Sequence, residues 1–158
     1  MVNIIKNSAL INDMSDEKFM KLAIDEAKKA LFPFGCVLVK DNQVVATGKS
    51  GETNNFDPTA HAEINAIRSA CKKLHSKDLS GVTLYSTCEP CPMCFSAAWW
   101  ANISKVVFGI SLKESSKLFG QEILVSADYL NRKGANKIEI KGGVLKDEVI
   151  KLYGGFEN

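Results

Sequence analysis

A chain of 158 residues with 46% apolar and 24% charged side chains is long enough to enclose one substantial core, and its polarity is ordinary for a globular protein. Its formal net charge is only +2, and its basic residues, of which only Arg68 and Arg132 are arginines, are scattered. That distribution argues against a phosphate-tracking nucleic-acid surface. No apolar run reaches the length of a membrane span, and residues 1–13 lack the apolar core and cleavage site of a secretory signal. Cysteines 36, 71, 88, 91 and 94 are odd in number and bunched at 88–94, which fits reduced thiols in a cytoplasmic protein better than a disulfide framework.

Residues 1–14 read as an N-terminal extension ahead of a single domain at 15–158. Ser15-Asp16-Glu17-Lys18 resembles a displaced capping box, with Ser15 or Asp16 as N-cap. Phe19, Met20, Leu22, Ala23, Ala27, Ala30 and Leu31 then recur at helical spacing, which predicts a helix over 16–31 stopped by Pro33. Phe34 to Val39 reads as a buried strand, Lys40 to Gln43 as a hairpin turn and Val44 to Gly48 as the returning strand. The polar stretch from Lys49 to Pro58 reads as a loop that walls a pocket.

From Thr59 the period changes. Ala60, Ile64, Ile67, Ala70, Cys71 and Leu74 keep helical spacing, which puts His61 and Glu63 in a first helical turn. Val82 to Ser86 is a short strand, Cys91 to Ala101 a helix opened by prolines, and Lys105 to Ile110 another strand. Further on, helices are expected at 112–120, 125–130 and 144–153, and a fifth strand at 137–141. This order predicts an α/β fold, a three-layer α-β-α sandwich around a mixed five-stranded sheet.

The chemistry concentrates in two stretches, Asp57-Pro58-Thr59-Ala60-His61-Ala62-Glu63 and Thr87-Cys88-Glu89-Pro90-Cys91-Pro92-Met93-Cys94. A catalytic zinc takes three protein ligands and keeps one position for water. His61, Cys91 and Cys94 supply that number, and the i, i+3 spacing of the cysteines puts both sulfurs on one face at a helix start, where thiolates are favoured. Glu63, two residues from His61, can reach the edge of the same cavity and shuttle a proton. A lone C-x-x-C also fits a redox pair or half of a closed structural zinc site, for which Cys88, His75, Cys71 or Cys36 would have to supply a fourth ligand.

H-x-E followed by P-C-x-x-C is the signature of zinc nucleobase deaminases. With Pro33-Phe34-Gly35, these motifs make residues 16–110 resemble the cytidine deaminase-like superfamily. The resemblance is to the branch of guanine, guanosine and tRNA adenosine deaminases, whose members are usually homodimers. It implies one zinc per chain held by His61, Cys91 and Cys94. It makes Glu63 the catalytic proton shuttle and places the backbone N–H groups of Ala62 and Cys91 near the substrate's reacting edge.

The resemblance also names substrate contacts at Phe34, Ser50, Ala62 and Trp100. Ser50 stands where most relatives have an Asn that contacts the base or sugar. Asn54 or Asn55 of the same loop could replace that amide. Trp100-Ala101 resembles guanine deaminases, which also tend to carry an acidic pair in the later loop, where Glu122 is the one carboxylate here. A guanine-like purine base or nucleoside is therefore the first substrate class. A tRNA adenosine, a cytosine-type pyrimidine and a non-catalytic zinc-stabilised interaction module are the alternatives. Phe156 is expected either to fray or to fold over the pocket.

Overall fold

A computed structural model describes residues 2–120 and 122–155, with side chains from Ser15 onward. Residue 121 and the tail containing Phe156 lie outside the described residues. A five-stranded sheet in the order β2-β1-β3-β4-β5 forms the middle layer. Its strands are β1 (Gly35–Lys40), β2 (Gln43–Lys49), β3 (Thr83–Cys88), β4 (Lys105–Ile110) and β5 (Glu139–Lys141). β1 runs antiparallel to β2 and β3, whereas β3, β4 and β5 are mutually parallel, so the sheet is mixed as expected.

Seven helices complete the described chain: α1 (Val2–Ala27), α2 (Glu52–Asn55), α3 (Ala62–Leu74), α4 (Pro92–Trp100), α5 (Leu112–Phe119), α6 (Ala127–Lys133) and α7 (Lys146–Tyr153). Alternation along the strands divides the core in two. Cys36, Leu38, Leu84 and Val106 face α3, α4 and α6. Val37, Val39, Tyr85 and Val107 face α1, α5 and α7. The three-layer α-β-α sandwich is thus the observed architecture.

The β1–β2 hairpin turns through Asp41 and Asn42, both in the left-handed region at φ 50° and 61°. Short polar Asp and Asn tolerate that conformation, and two such residues give the twist a tight hairpin needs. Two glycines set how closely helices approach the sheet. A Cβ on Gly35 would collide with the Ala23 carbonyl of α1, and one on Gly48 with the Ala62 carbonyl of α3. Gly48 therefore lets β2 carry the start of α3 at backbone contact.

Two elements differ from the sequence reading. α1 is continuous through Ser15 and Asp16, so neither residue caps it. Asp16 is buried and spends its carboxylate on tertiary partners instead: it accepts from Tyr85 Oη at 2.8 Å and pairs with Lys141 at 2.8 Å and Lys105 at 3.5 Å. α1 also ends at Ala27, short of Leu31, because the following N–H groups tighten into i−3 bonds before Pro33. The loop at 49–58 contains the single turn of α2, closed by Phe56 in the left-handed conformation at φ 50°.

Burial alone would raise the Asp16 carboxyl, but the bonds from Lys141 and Tyr85 and the Lys105 charge outweigh it, and it titrates below the ordinary carboxylate value. Its contribution is complete above the unfolded value of about 4 and is lost as pH falls through the lower folded value. Asp16→Asn should lower stability at pH 7 by about 1.5–3 kcal/mol, the range for hydrogen bonds to a charged group. The deficit should shrink below about pH 4, as urea unfolding across that range would show.

Candidate active site

α3 and α4 enter the sandwich from the same end of the sheet, with their N-termini facing each other. His61 is the N-cap of α3, at φ −62° and ψ 155°, and Cys91 is the N-cap of α4, at φ −62° and ψ 167°. His61 therefore precedes the first helical turn rather than lying in it. Extended backbone at an N-cap swings the side chain away from the helix and into the gap between the two termini. Cys94 follows one turn into α4 and is fully buried.

The His61 Nδ1 atom lies 3.6 Å from Cys91 Sγ and 3.5 Å from Cys94 Sγ. Ligand atoms of all three residues fall within 4.8 Å of one another. Tetrahedral zinc with bonds of about 2.0 Å to nitrogen and 2.3 Å to sulfur requires ligand separations of about 3.5 Å. The donor set and its spacing thus fit zinc. No fourth ligand joins this cluster among the described residues: Cys36 and Cys88 are buried within the two cores, Cys71 lies farther along α3, and His75 caps the C-terminus of α3. A closed structural site is accordingly not formed.

Glu63, in the first turn of α3, is buried, and its Oε1 accepts a 2.8 Å hydrogen bond from the Ser86 hydroxyl of β3. Burial is the main cause that raises its carboxyl, with the Cys91 charge second. The Cys94 thiol donates to Cys91, drawing Cys91 down to about 4, and is itself pushed up by that bond and by burial. The contact with Cys91 in turn holds the His61 imidazole up to about 9. A divalent cation would displace the shared protons and leave both sulfurs as thiolates.

Residues 13–110 match the cytidine and deoxycytidylate deaminase zinc-binding region, which includes every member of this cluster. The chain belongs to that family. It is a zinc-dependent hydrolytic deaminase, and the reading as a non-catalytic zinc module falls. Over 100 residues, 60% of the chain, it is 46% identical to the guanine deaminase of Bacillus subtilis and spans 64% of that enzyme. The tRNA-specific adenosine deaminase of the same organism is 45% identical over 145 residues, 89% of this chain and 88% of that one. A solved structure from work on tRNA:A34 deaminases superimposes with a TM-score of 0.74 at 30% identity, covering 85% of this chain and 98% of that one.

The deaminase site gathers some of the other expected residues and leaves one aside. Ala62, the first residue of α3, is fully buried, and a first-turn N–H has no intrahelical acceptor. Phe34 is half-buried where the two cores meet and stacks edge-on against Phe119 and Tyr153. Ser50 is 4% exposed, and its hydroxyl donates to Glu52 at 2.6 Å. Trp100 is not brought to the cluster. It sits at the far end of α4, roughly 13 Å of helix from Cys91, is 75% exposed and stacks on Trp99. Asn54 and Asn55 lie exposed on α2, whereas Glu52 of the same turn faces His61.

Sequence reasoning gave no role to Glu89 and Glu52. Glu89 lies inside the cysteine motif, and its buried carboxylate accepts from Leu112 N at 3.0 Å and from Ala127 N at 2.8 Å. One carboxylate thereby holds the N-termini of both α5 and α6, whose dipole ends favour a negative charge. Its position between the zinc cysteines and a strand end was the one available signal.

Glu89→Ala should therefore strip two buried N–H groups of their acceptor and lower stability by about 2–5 kcal/mol. Glu89→Gln keeps one acceptor oxygen and should lose roughly half as much. Urea unfolding of the two variants against the parent measures the difference.

Proposed function

We propose that the protein removes the exocyclic amine of a purine ring, with a free guanine-type base or its nucleoside as first substrate class. When bound, zinc lowers the pKa of a coordinated water to about 7 and so supplies the nucleophile at neutral pH. Glu63 then carries the proton. Ser86 occupies its Oε1, which leaves Oε2 to take a proton from the attacking water and deliver it first to the ring nitrogen beside the reacting carbon. A second transfer accompanies the leaving amine, which departs as ammonia, and the ring gains a carbonyl. Burial raises the Glu63 carboxyl, the direction that helps it hold the proton between the two transfers.

The observation that carries the choice of substrate is Glu122. Its half-buried carboxylate is held by the Ser115 hydroxyl at 3.0 Å, and it is close enough to Cys91, His61 and Glu63 for their charges to bear on it. A carboxylate there suits a ring whose nitrogen beside the reacting carbon carries a proton, as guanine does with N1–H. Adenine presents a bare N1 and a C–H at the corresponding edge, and leaves such an acceptor unpaired. Phe34, Phe119 and Tyr153 form an aromatic cluster nearby, able to flank a flat ring.

Editing of a tRNA adenosine is the second reading. It is favoured by the breadth of similarity, since the tRNA deaminase matches extend over most of the chain. A homodimer belongs to either reading through the resemblance, and light scattering should give twice the 17.3 kDa chain mass.

Zinc-loaded protein should release ammonia from guanine faster than from adenine, cytosine or their nucleosides. Glu63→Gln should lower kcat/KM by at least about 100-fold, the scale of general acid–base catalysis. Silence across the panel of free bases and nucleosides, with ammonia from a tRNA anticodon stem-loop, would move the assignment to the second reading.

A further inference from the structure

The imidazole of His61 turns Nδ1 toward Cys91 and Cys94, so its other nitrogen, Nε2, points away from the metal position. A neutral imidazole carries a single ring proton. If Nδ1 donates its lone pair to a metal, that proton must sit on Nε2. What Nε2 meets therefore decides the tautomer and the plane of the ring. It meets Glu52, whose Oε1 lies 3.7 Å away. The distance is that of an ion-pair contact, longer than a hydrogen bond.

The second oxygen of Glu52 is not free to wander. Ser50 donates to Oε2 at 2.6 Å. Ser50 is in turn fixed by its backbone, with its N–H on the Phe34 carbonyl at 3.1 Å, and Gly51 N–H bonds the Ala60 carbonyl at 3.0 Å. These bonds tie the start of α2 to the end of the loop that delivers His61. The result is a relay from a buried hydroxyl through a carboxylate to the outer nitrogen of a metal-facing imidazole.

We propose that Glu52 is a positioning residue for the metal centre, that it selects the Nε2–H tautomer of His61 and fixes its ring plane, and that Ser50 aims it. The hydroxyl of Ser50 is then committed to the protein rather than to the substrate. This rests on the zinc-ligand reading of His61 but not on any choice of substrate. Carboxylates behind metal-bound imidazoles raise ligand basicity and typically change metal affinity 10- to 100-fold when removed.

The test is zinc affinity by competition with a chromophoric chelator, together with the imidazole 15N shifts of His61 in the zinc-loaded protein. Glu52→Gln should weaken zinc binding about 10-fold or more and shift the Nε2 resonance, with the metal-free melting temperature unchanged. Ser50→Ala, which removes only the aiming hydroxyl, should weaken zinc in the same direction by a smaller factor. Zinc affinity within twofold of the parent in both variants, with KM alone altered, overturns the proposal and makes Glu52 a substrate-reading group. If Glu52→Gln does not fold, the Ser50→Ala affinity decides the matter by itself. Failure of the deamination panel would leave these affinities unaffected, so the two readings fail separately.

Discussion

The approach of two helix N-termini is the constraint on which the rest of this molecule depends. A three-ligand metal site tolerates only a few tenths of an ångström in donor spacing, and here the donors come from α3 and α4, thirty residues apart in sequence. His61 and Cys91 meet that tolerance because both occupy N-cap positions, where the extended backbone directs each side chain into the gap between the helices. Placing the site at helix starts also sets thiols and a carboxylate among unsatisfied N–H groups, which favour negative charge. Glu63, one turn start away from the ligands, inherits burial from the same arrangement.

Several features distant from the chemistry maintain that approach. Gly48 admits the backbone of α3 against β2, and Gly35 admits α1 against β1. The Thr87 hydroxyl ties the strand leading into the cysteine motif to the Pro33 carbonyl and to Gly35 N. Glu89 gathers α5 and α6 on the far side of the cysteines. Asp57 closes the turn before His61 by accepting from both the backbone and the hydroxyl of Thr59. Motif residues that never touch the reacting atoms thus fix the path of the chain around them.

Much of this was legible in the sequence. Periodicity located all five strands and the helices from α3 onward within a few residues, because each element buries one face and local spacing reports that directly, whereas α1 begins at Val2 rather than at the expected residue 16. The zinc cluster was legible for a different reason: H-x-E and P-C-x-x-C are short-range patterns, and local backbone geometry alone sets the relation between Cys91 and Cys94. The errors fell where a tertiary partner overrode a local signal. Asp16 has the composition of a cap, yet its carboxylate is claimed by Tyr85, Lys141 and Lys105 from the sheet. Trp100 shares the helix of the cysteines, yet about two and a half turns of rise separate it from Cys91.

The sequence by itself determined the layered fold and the identity of the metal donors. Each follows from spacing within a single element or from donor chemistry that few residue types possess. Only the tertiary structure decided what surrounds those groups. That Glu122 comes back from the loop after α5 to the Ser115 hydroxyl, that Ser50 spends its hydroxyl on Glu52 and that Glu52 faces the outer nitrogen of His61 are relations between separate segments. No periodicity encodes them, because they arise from how loops close over a packed core rather than from how any one segment folds.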